Sequence, residues 1–224
     1  MSAPRMTPTL TAPVEDYLKV IFELEAGGGV AGTNEIASTL GVAPASVSGM
    51  VRRLADQGLI DHERYRGVQL TKAGRLAALR TIRRHRVIEA YLTTALGYPW
   101  DLVHDEAERL EHAASDELID RMAAAIGEPA TDPHGAPIPT RDGTLNEPAL
   151  QTLDAVEVGA HVCIQRVGDR DPEQLRYLAE LGITPGRRVE VLARAPFDGP
   201  ISLRVGRITR TIGAGLAKRI LVGA

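Results

Sequence analysis

Between Val103 and Glu117 the chain reads VHDEAERLEHAASDE, with two histidines, six carboxylates and a single arginine. On a helix, which turns about 100° per residue, His104, Glu108, Glu111 and His112 fall within a sector of roughly 100°. Asp105 lies at the edge of that sector and Glu106 points elsewhere. Carboxylates one turn apart repel each other, and an ordinary surface helix would interleave lysines. A divalent cation would relieve the repulsion and use each group as a ligand. Upstream, RRHRVIEAYL sets His85 and Glu89 four residues apart, again on one face. Asp16 stands in the first turn of a third helix, PVEDYLKVIFELE, whose Tyr17, Leu18, Ile21 and Leu24 read as packing residues. The bland alternative is a solvated acidic helix with incidental histidines. Hydrolytic chemistry does not fit: His104 and His112 are eight apart rather than in a His-Glu-x-x-His frame, and no phosphate loop or nucleophile motif is present. An enzyme is not expected.

The elements that would carry these groups alternate in character. GTNEIASTLGVAPASVSGMVRRLADQGLI predicts two short helices joined by a tight turn. Thr33 is placed as the cap of the first, with Ile36, Ala37 and Leu40 sharing a face and Gly41 ending it. The second starts near Pro44, turns Val47, Met50, Val51 and Leu54 inward, and leaves Ser46, Ser48, Gly49, Arg52 and Arg53 outward. LIDHERYRGVQLTKAG then reads as strand, turn and returning strand. Together these make a winged helix-turn-helix, whose second helix can enter a major groove. Thr33, Ser46, Ser48, Arg52, Arg53, Arg64 and Arg66 are the candidate DNA contacts, the last two at the wing tip against sugar-phosphate backbone. A helical hairpin with a solvated basic face is the plainer reading.

Charge divides along the chain in the same way. Residues 33–90 hold ten Lys+Arg against five Asp+Glu, and residues 101–128 hold two against nine. The first stretch suits a polyanion and the second suits cations. A composition 44% hydrophobic and 25% charged is that of a globular protein. The lone Cys163 excludes an internal disulfide and reads as a small core residue. No apolar run approaches the length of a membrane span and the N-terminus has no secretory-type core, so a cytoplasmic protein without membrane partners is expected.

The chain divides into four segments: residues 1–81 as the winged helix-turn-helix, 82–127 as a helical metal-binding and dimerisation domain, 128–150 as a Pro/Gly-rich linker, and 151–224 as a small β-rich domain with one short helix at PEQLRYLAELG. The fold class is α+β. Leu118, Ile119, Met122 and Ile126 are apolar on one face and serve either a two-fold interface or the core. His62, His134 and His161 have no partner at ligand spacing and stay unassigned.

The ordered set EDYLKVIFELE, ASVSGMVRRLADQGLI, RRHRVIEAYL, VHDEAERLEHAASDE and DPHGAPIP resembles the diphtheria toxin repressor family of metal-dependent regulators over nearly the whole chain. The resemblance implies a terminal SH3-like barrel, a homodimer on a palindromic double-stranded operator, and repression of metal-homeostasis genes such as those for manganese uptake. It implies a primary metal site of Asp16, Glu108, Glu111 and His112. An ancillary site would use His85, Glu89 and His104, with Asp169 from the last domain and Asp171 as the nearby alternative. Iron-type members carry methionine at the position of Asp16 and cysteine at that of Glu108. Oxygen donors here point to Mn²⁺, with Fe²⁺ as the alternative metal and a metal-independent winged-helix regulator as the alternative function. Lys19 stands where short manganese regulators place a carboxylate, so a closely coupled two-metal cluster is not implied.

Overall fold

The computed structural model describes residues 10–27, 30–63 and 67–223. The chain divides into two compact units, residues 1–83 with 139–144, and residues 84–138 with 145–224.

In the first unit, helix α1 (Ala12–Ala26) starts with a proline in its first turn and buries Val14, Tyr17, Leu18 and Ile21 along one stripe, as apolar residues three and four apart must. Asp16 is half-buried and is the fifth residue of the helix, just past the first turn in which the sequence pattern places it. At the other end Glu25 clamps the helix: one carboxylate oxygen accepts the Leu70 N–H at 2.6 Å, the other pairs with the Arg75 guanidinium at 2.6 Å. Helices α2 (Thr33–Leu40) and α3 (Pro44–Asp56) form the helix-turn-helix, with Gly41 left-handed at φ 65 closing the first. The cap of α2 is Gly32 rather than Thr33. Gly32 has the extended backbone a cap needs and its N–H donates to the Glu35 carboxylate at 3.0 Å, which leaves Thr33 as the first helical residue. Val47, Val51 and Leu54 are buried, while Met50 is only half-buried. Strands β1 (Ile60–Glu63) and β2 (Gly67–Leu70) pair antiparallel as the wing, and Ala31 bridges to Val68. Arg64 and Arg66 lie outside the described residues. Helix α4 (Lys72–Leu96) begins against Leu59, where a Cβ on Gly74 would stand 1.9 Å from the Leu59 carbonyl oxygen.

In the second unit, the later turns of α4 pack with α5 (Val103–Leu110) and α6 (Asp116–Ala125) around Val87, Ile88, Leu92, Val103, Ala107, Ile119 and Ala123. The acidic stretch is therefore not one continuous helix. The chain turns after Leu110, because Ser115 takes the N-cap of α6 and its hydroxyl accepts the Leu118 N–H at 3.2 Å. Of the apolar face on α6, Ile119 is core, Met122 and Ile126 are half-buried, and Leu118 remains 47% exposed. Residues 128–150 form no helix or strand apart from an isolated bridge between Thr131 and Pro137.

The C-terminal part is a six-stranded antiparallel sheet in the order β3-β8-β4-β5-β6-β7, formed by β3 (Gln151–Thr152), β4 (His161–Val167), β5 (Arg188–Arg194), β6 (Ile201–Val205), β7 (Ile208–Ile212) and β8 (Ile220–Gly223). Helix α7 (Pro172–Leu181), capped by Asp171 and ended by left-handed Gly182, covers Ile164, Val191 and Ile201 with Leu175 and Leu178. A one-turn helix, α8 (Ala214–Ala217), precedes the last strand. Cys163 departs from expectation: on β4 the core takes Val162 and Ile164, so the alternation turns Cys163 to the other face, where it is half-buried.

Candidate metal centre

The second unit gathers the histidines around two carboxylates with no exposed surface, Glu89 and Glu111. His85, on α4, stands between them. Its Nδ1 is 2.5 Å from Glu111 Oε2, and its Nε2 is 3.1 Å from Glu89 Oε1. The same Nε2 lies 3.1 Å from His104 Nδ1, and His104 Nδ1 is 3.4 Å from Glu89 Oε1. His85, Glu89 and His104 thus converge on one point, from two turns of α4 and the start of α5. The i, i+4 spacing on α4 and the burial of Val103 and Ala107 explain the convergence, because packing α5 by that face turns His104 toward α4. Glu108 is more exposed. Its Oε1 sits 3.7 Å from His85 Nδ1 and 3.9 Å from His104 Nε2.

Glu111 and His112 lie in the turn after α5. Their side chains approach to 3.6 Å, between Glu111 Oε1 and His112 Nε2. Asp16 belongs to the first unit, on α1. Burial by itself would raise the Glu89 carboxyl, but the imidazoles of His104, His134 and His85 outweigh it and hold Glu89 well below the usual carboxylate range. Glu89 is therefore an anion in the interior, which nothing tolerates without positive charge beside it.

His134 is a site residue that spacing arguments miss. It is fully buried, with Nε2 2.8 Å from the Trp100 carbonyl oxygen and Nδ1 3.8 Å from Glu89 Oε2. A tight turn presents it: Asp132 Oδ1 accepts the N–H groups of His134 and Ala136, both at 2.9 Å. Arg86 holds that turn from α4, its Nη1 donating to the Pro137 carbonyl at 2.5 Å and its Nε 3.7 Å from Asp132. Burial and the nearby Glu89 charge push Asp132 up to about 6. Burial lowers His134, but the Glu89 carboxylate outweighs it and pushes the imidazole up to about 9. The signal in the sequence is the turn-forming DPHG itself, which places a histidine where an aspartate can lock the backbone two residues earlier. Asp169, half-buried after β4, groups with Glu89 and His134, their ligand atoms all within 4.8 Å of one another.

The donor set fits a divalent cation on its chemistry. It offers only carboxylate oxygens and imidazole nitrogens, and Glu89 Oε2 and His134 Nδ1 are buried with no hydrogen-bond partner among the described residues. Those two atoms face each other across 3.8 Å.

On the first unit, Ser46, Ser48, Arg52 and Arg53 all lie exposed along α3, and Thr33 is half-buried at the start of α2. Ser48 donates its hydroxyl to the Pro44 carbonyl at 3.2 Å. A helix that shows small residues at its start and guanidinium groups a turn later can approach base edges and phosphates at once.

Residues 9–68 match the N-terminal DNA binding domain of iron dependent repressors, residues 71–140 their metal binding and dimerisation domain, and residues 151–224 the FeoA domain. The diphtheria toxin repressor of Corynebacterium jeikeium is 34% identical over 206 residues, covering 89% of this chain and 84% of that protein. The iron-dependent repressor IdeR of Mycobacterium leprae is 31% identical over 195 residues, covering 81% and 84%. A manganese-dependent transcriptional repressor solved in complex with manganese superposes with a TM-score of 0.86 at 43% identity, covering 93% of this chain and 98% of that one. No helix among the described residues is long and apolar enough to cross a membrane. With a DNA-reading unit, a dimerisation segment built around buried histidines and carboxylates, and a closing sheet domain all in family order, the chain belongs to the diphtheria toxin repressor family of metal-dependent transcriptional repressors.

Proposed function

We propose that this chain is a Mn²⁺-activated repressor that grips a palindromic operator as a homodimer and controls metal-homeostasis genes such as those for manganese uptake. One observation carries the choice of metal: the donors gathered around His85 are carboxylate oxygens and imidazole nitrogens, with no sulfur. Hard oxygen donors with imidazole suit Mn²⁺, whereas thiolate or thioether shifts preference toward softer ions. Asp16, Glu108, Glu111 and His112 would hold one ion. His85, Glu89 and His104 would hold a second, with Asp169 drawn in from the last domain. A bound divalent ion would add positive charge among these carboxylates.

What the protein contributes is a mechanical link. Glu25 ties α1 to the wing strand β2 and to Arg75 of α4, so a restraint on Asp16 is a restraint on the whole reading head. Glu108, Glu111 and His112 belong to the other unit, and a ligand set drawn from both favours whichever arrangement satisfies all four. The DNA-competent population rises by that difference in affinity and by no more. In the dimer, two copies of α3 address two half-sites, with Ser46 and Ser48 near base edges and Arg52 and Arg53 on phosphates. Leu102, Leu110 and Leu118 are exposed apolar residues inside the dimerisation segment and are the natural two-fold contact.

The test is a titration of metal-stripped protein onto a duplex selected from a random pool in Mn²⁺, read by fluorescence anisotropy. Mn²⁺ should activate binding more strongly than Zn²⁺ or anaerobic Fe²⁺, and chelator should abolish it. Stronger activation by Fe²⁺ would make this an iron-type member. Binding that persists in chelator would make it metal-independent.

A further inference from the structure

The sheet domain turns one face to its core and carries charge on the other. Along β6 the core takes Ile201, Leu203 and Val205, so Ser202 and Arg204 project from the opposite face. Register sets Thr209 of β7 beside Arg204 and Thr211 beside Ser202, and both threonines are exposed. The Ser202 and Thr211 hydroxyls lie 3.2 Å apart. Strand β7 closes the sheet on this side, paired only with β6.

Three further guanidinium groups collect at one end of that face. Arg207 is exposed in the two-residue turn between β6 and β7. Arg187 reaches the same turn, since its Nη2 would lie 3.5 Å from a Cβ on Gly206. Arg188 precedes Val189, whose partner across β5 and β6 is Val205, so exposed Arg188 stands beside Gly206 on the outer face. The carboxylate that register places on this face, Glu190, is already committed. Its Oε2 meets Arg204 Nε at 3.1 Å and His161 Nε2 at 3.8 Å. Arg187, Arg188 and Arg207 have no ion pair among the described residues.

The chemistry of the patch selects its partner. Residues 187–210 hold six arginines against two acidic residues, and no lysine. A guanidinium fork matches two phosphate oxygens at once, and hydroxyls are the other common side-chain donors to a sugar-phosphate backbone. Pairing of two β7 edges from two copies would set Arg207 and Arg210 against like charge, which is unfavourable. Of the polyanions that remain, DNA is the one this chain already holds. Once the reading head is on a duplex, a second contact with the same duplex is intramolecular, at an effective concentration of about a millimolar. Three arginines too weak to hold DNA alone then add to the whole.

We propose that the outer face of the sheet domain, at the turn between β6 and β7, is a second DNA contact. Arg187, Arg188 and Arg207 grip the sugar-phosphate backbone, with Arg204, Thr209 and Thr211 beside them. The contact reads no bases, so it adds affinity without sequence preference. It belongs to a domain outside the helix-turn-helix. The inference rests on the chain's being a DNA-binding repressor, and it holds whichever metal activates that repressor.

The experiment measures binding of the full-length, Mn²⁺-loaded protein to the selected operator duplex and to a scrambled duplex of equal length, by anisotropy, over about 50–300 mM KCl. In the combined variant Arg187→Ala, Arg188→Ala and Arg207→Ala, the slope of log affinity against log salt should fall by about 2–3 per chain. Affinity should drop about tenfold, by the same factor on both duplexes. Lysines at the same three positions should restore most of the slope, because the charge remains. Should the triple variant not fold, Arg207→Ala in the exposed turn serves alone, with a slope lower by about one. An unchanged slope overturns this inference and leaves the repressor function standing. So does a loss confined to the operator, which would mean that the arginines act through the reading head. Unchanged DNA binding together with lost binding of poly-glutamate would assign the patch to an acidic protein instead. A wild-type chain that binds neither duplex overturns the DNA-binding reading as well.

Discussion

At the scale of single residues, selectivity and recognition should separate. Replacing Asp16 by Met together with Glu108 by Cys adds two sulfur donors and should move activation of DNA binding from Mn²⁺ toward Fe²⁺ in anaerobic titrations. Unchanged Mn²⁺ preference would remove both from the ligand set. Arg53 is exposed on α3, and Arg53→Ala should weaken operator binding about tenfold without changing metal affinity. The anisotropy titration and metal dialysis, run on the same protein, read the two effects apart. His134 supplies a pH effect in the metal-free chain. Its value is raised to about 9 from an ordinary 6.5, so the stability it contributes is full below pH 6.5 and is lost as pH rises through 9. Thermal melts in chelator should decline across that window, and His134→Gln should flatten the decline. Sequence spacing displays His85, Glu89, His104 and Glu108 plainly, because i, i+4 pairs on helices announce themselves. His134 stays hidden because its partner Glu89 lies 45 residues away in sequence, and only the lie of an irregular segment brings the two together.

At the scale of elements, helices and strands are legible where periodicity and breakers agree. Pro44, Gly41, Pro172 and Gly182 mark the ends that their residue types predict. The acidic stretch reads as one helix and folds as two. Ser115 competes for the next helix start, and a capping hydroxyl can end a pattern that charge and apolar spacing would otherwise continue. Thr33 loses the cap to Gly32 for a similar local reason, the reach of Glu35 back to a free N–H. Two glycines make the contacts between elements testable. Gly74→Ala would drive a methyl against the Leu59 carbonyl and should destabilise the first unit by about 2–3 kcal/mol. Differential scanning calorimetry would register the lower melting transition. Gly135→Ala would lift the turn off β4, and the melting transition of the second unit should fall comparably.

At the scale of the whole chain, the α+β class and the order of reading head, helical segment and sheet domain are legible in breakers, charge division and period-two runs. Which apolar residues serve a partner copy is not, because Leu118 and Ile119 adjoin in sequence and only packing tells them apart: Ile119 is core and Leu118 is exposed. Leu118→Asp should therefore leave the fold intact while shifting sedimentation toward the monomer. Operator affinity should fall by about 100-fold, since each copy then binds its half-site alone. Irregular, proline-rich connections are commonly where proteases cut. Here residues 132–139 are buried or half-buried along their length, whereas 141, 142 and most residues from 143 to 149 are exposed. A broad-specificity protease should therefore spare the DPHGAPIP turn and nick the chain just after it. The fragment released would start within a few residues of β3 and carry Asp169 away from Glu89 and His134.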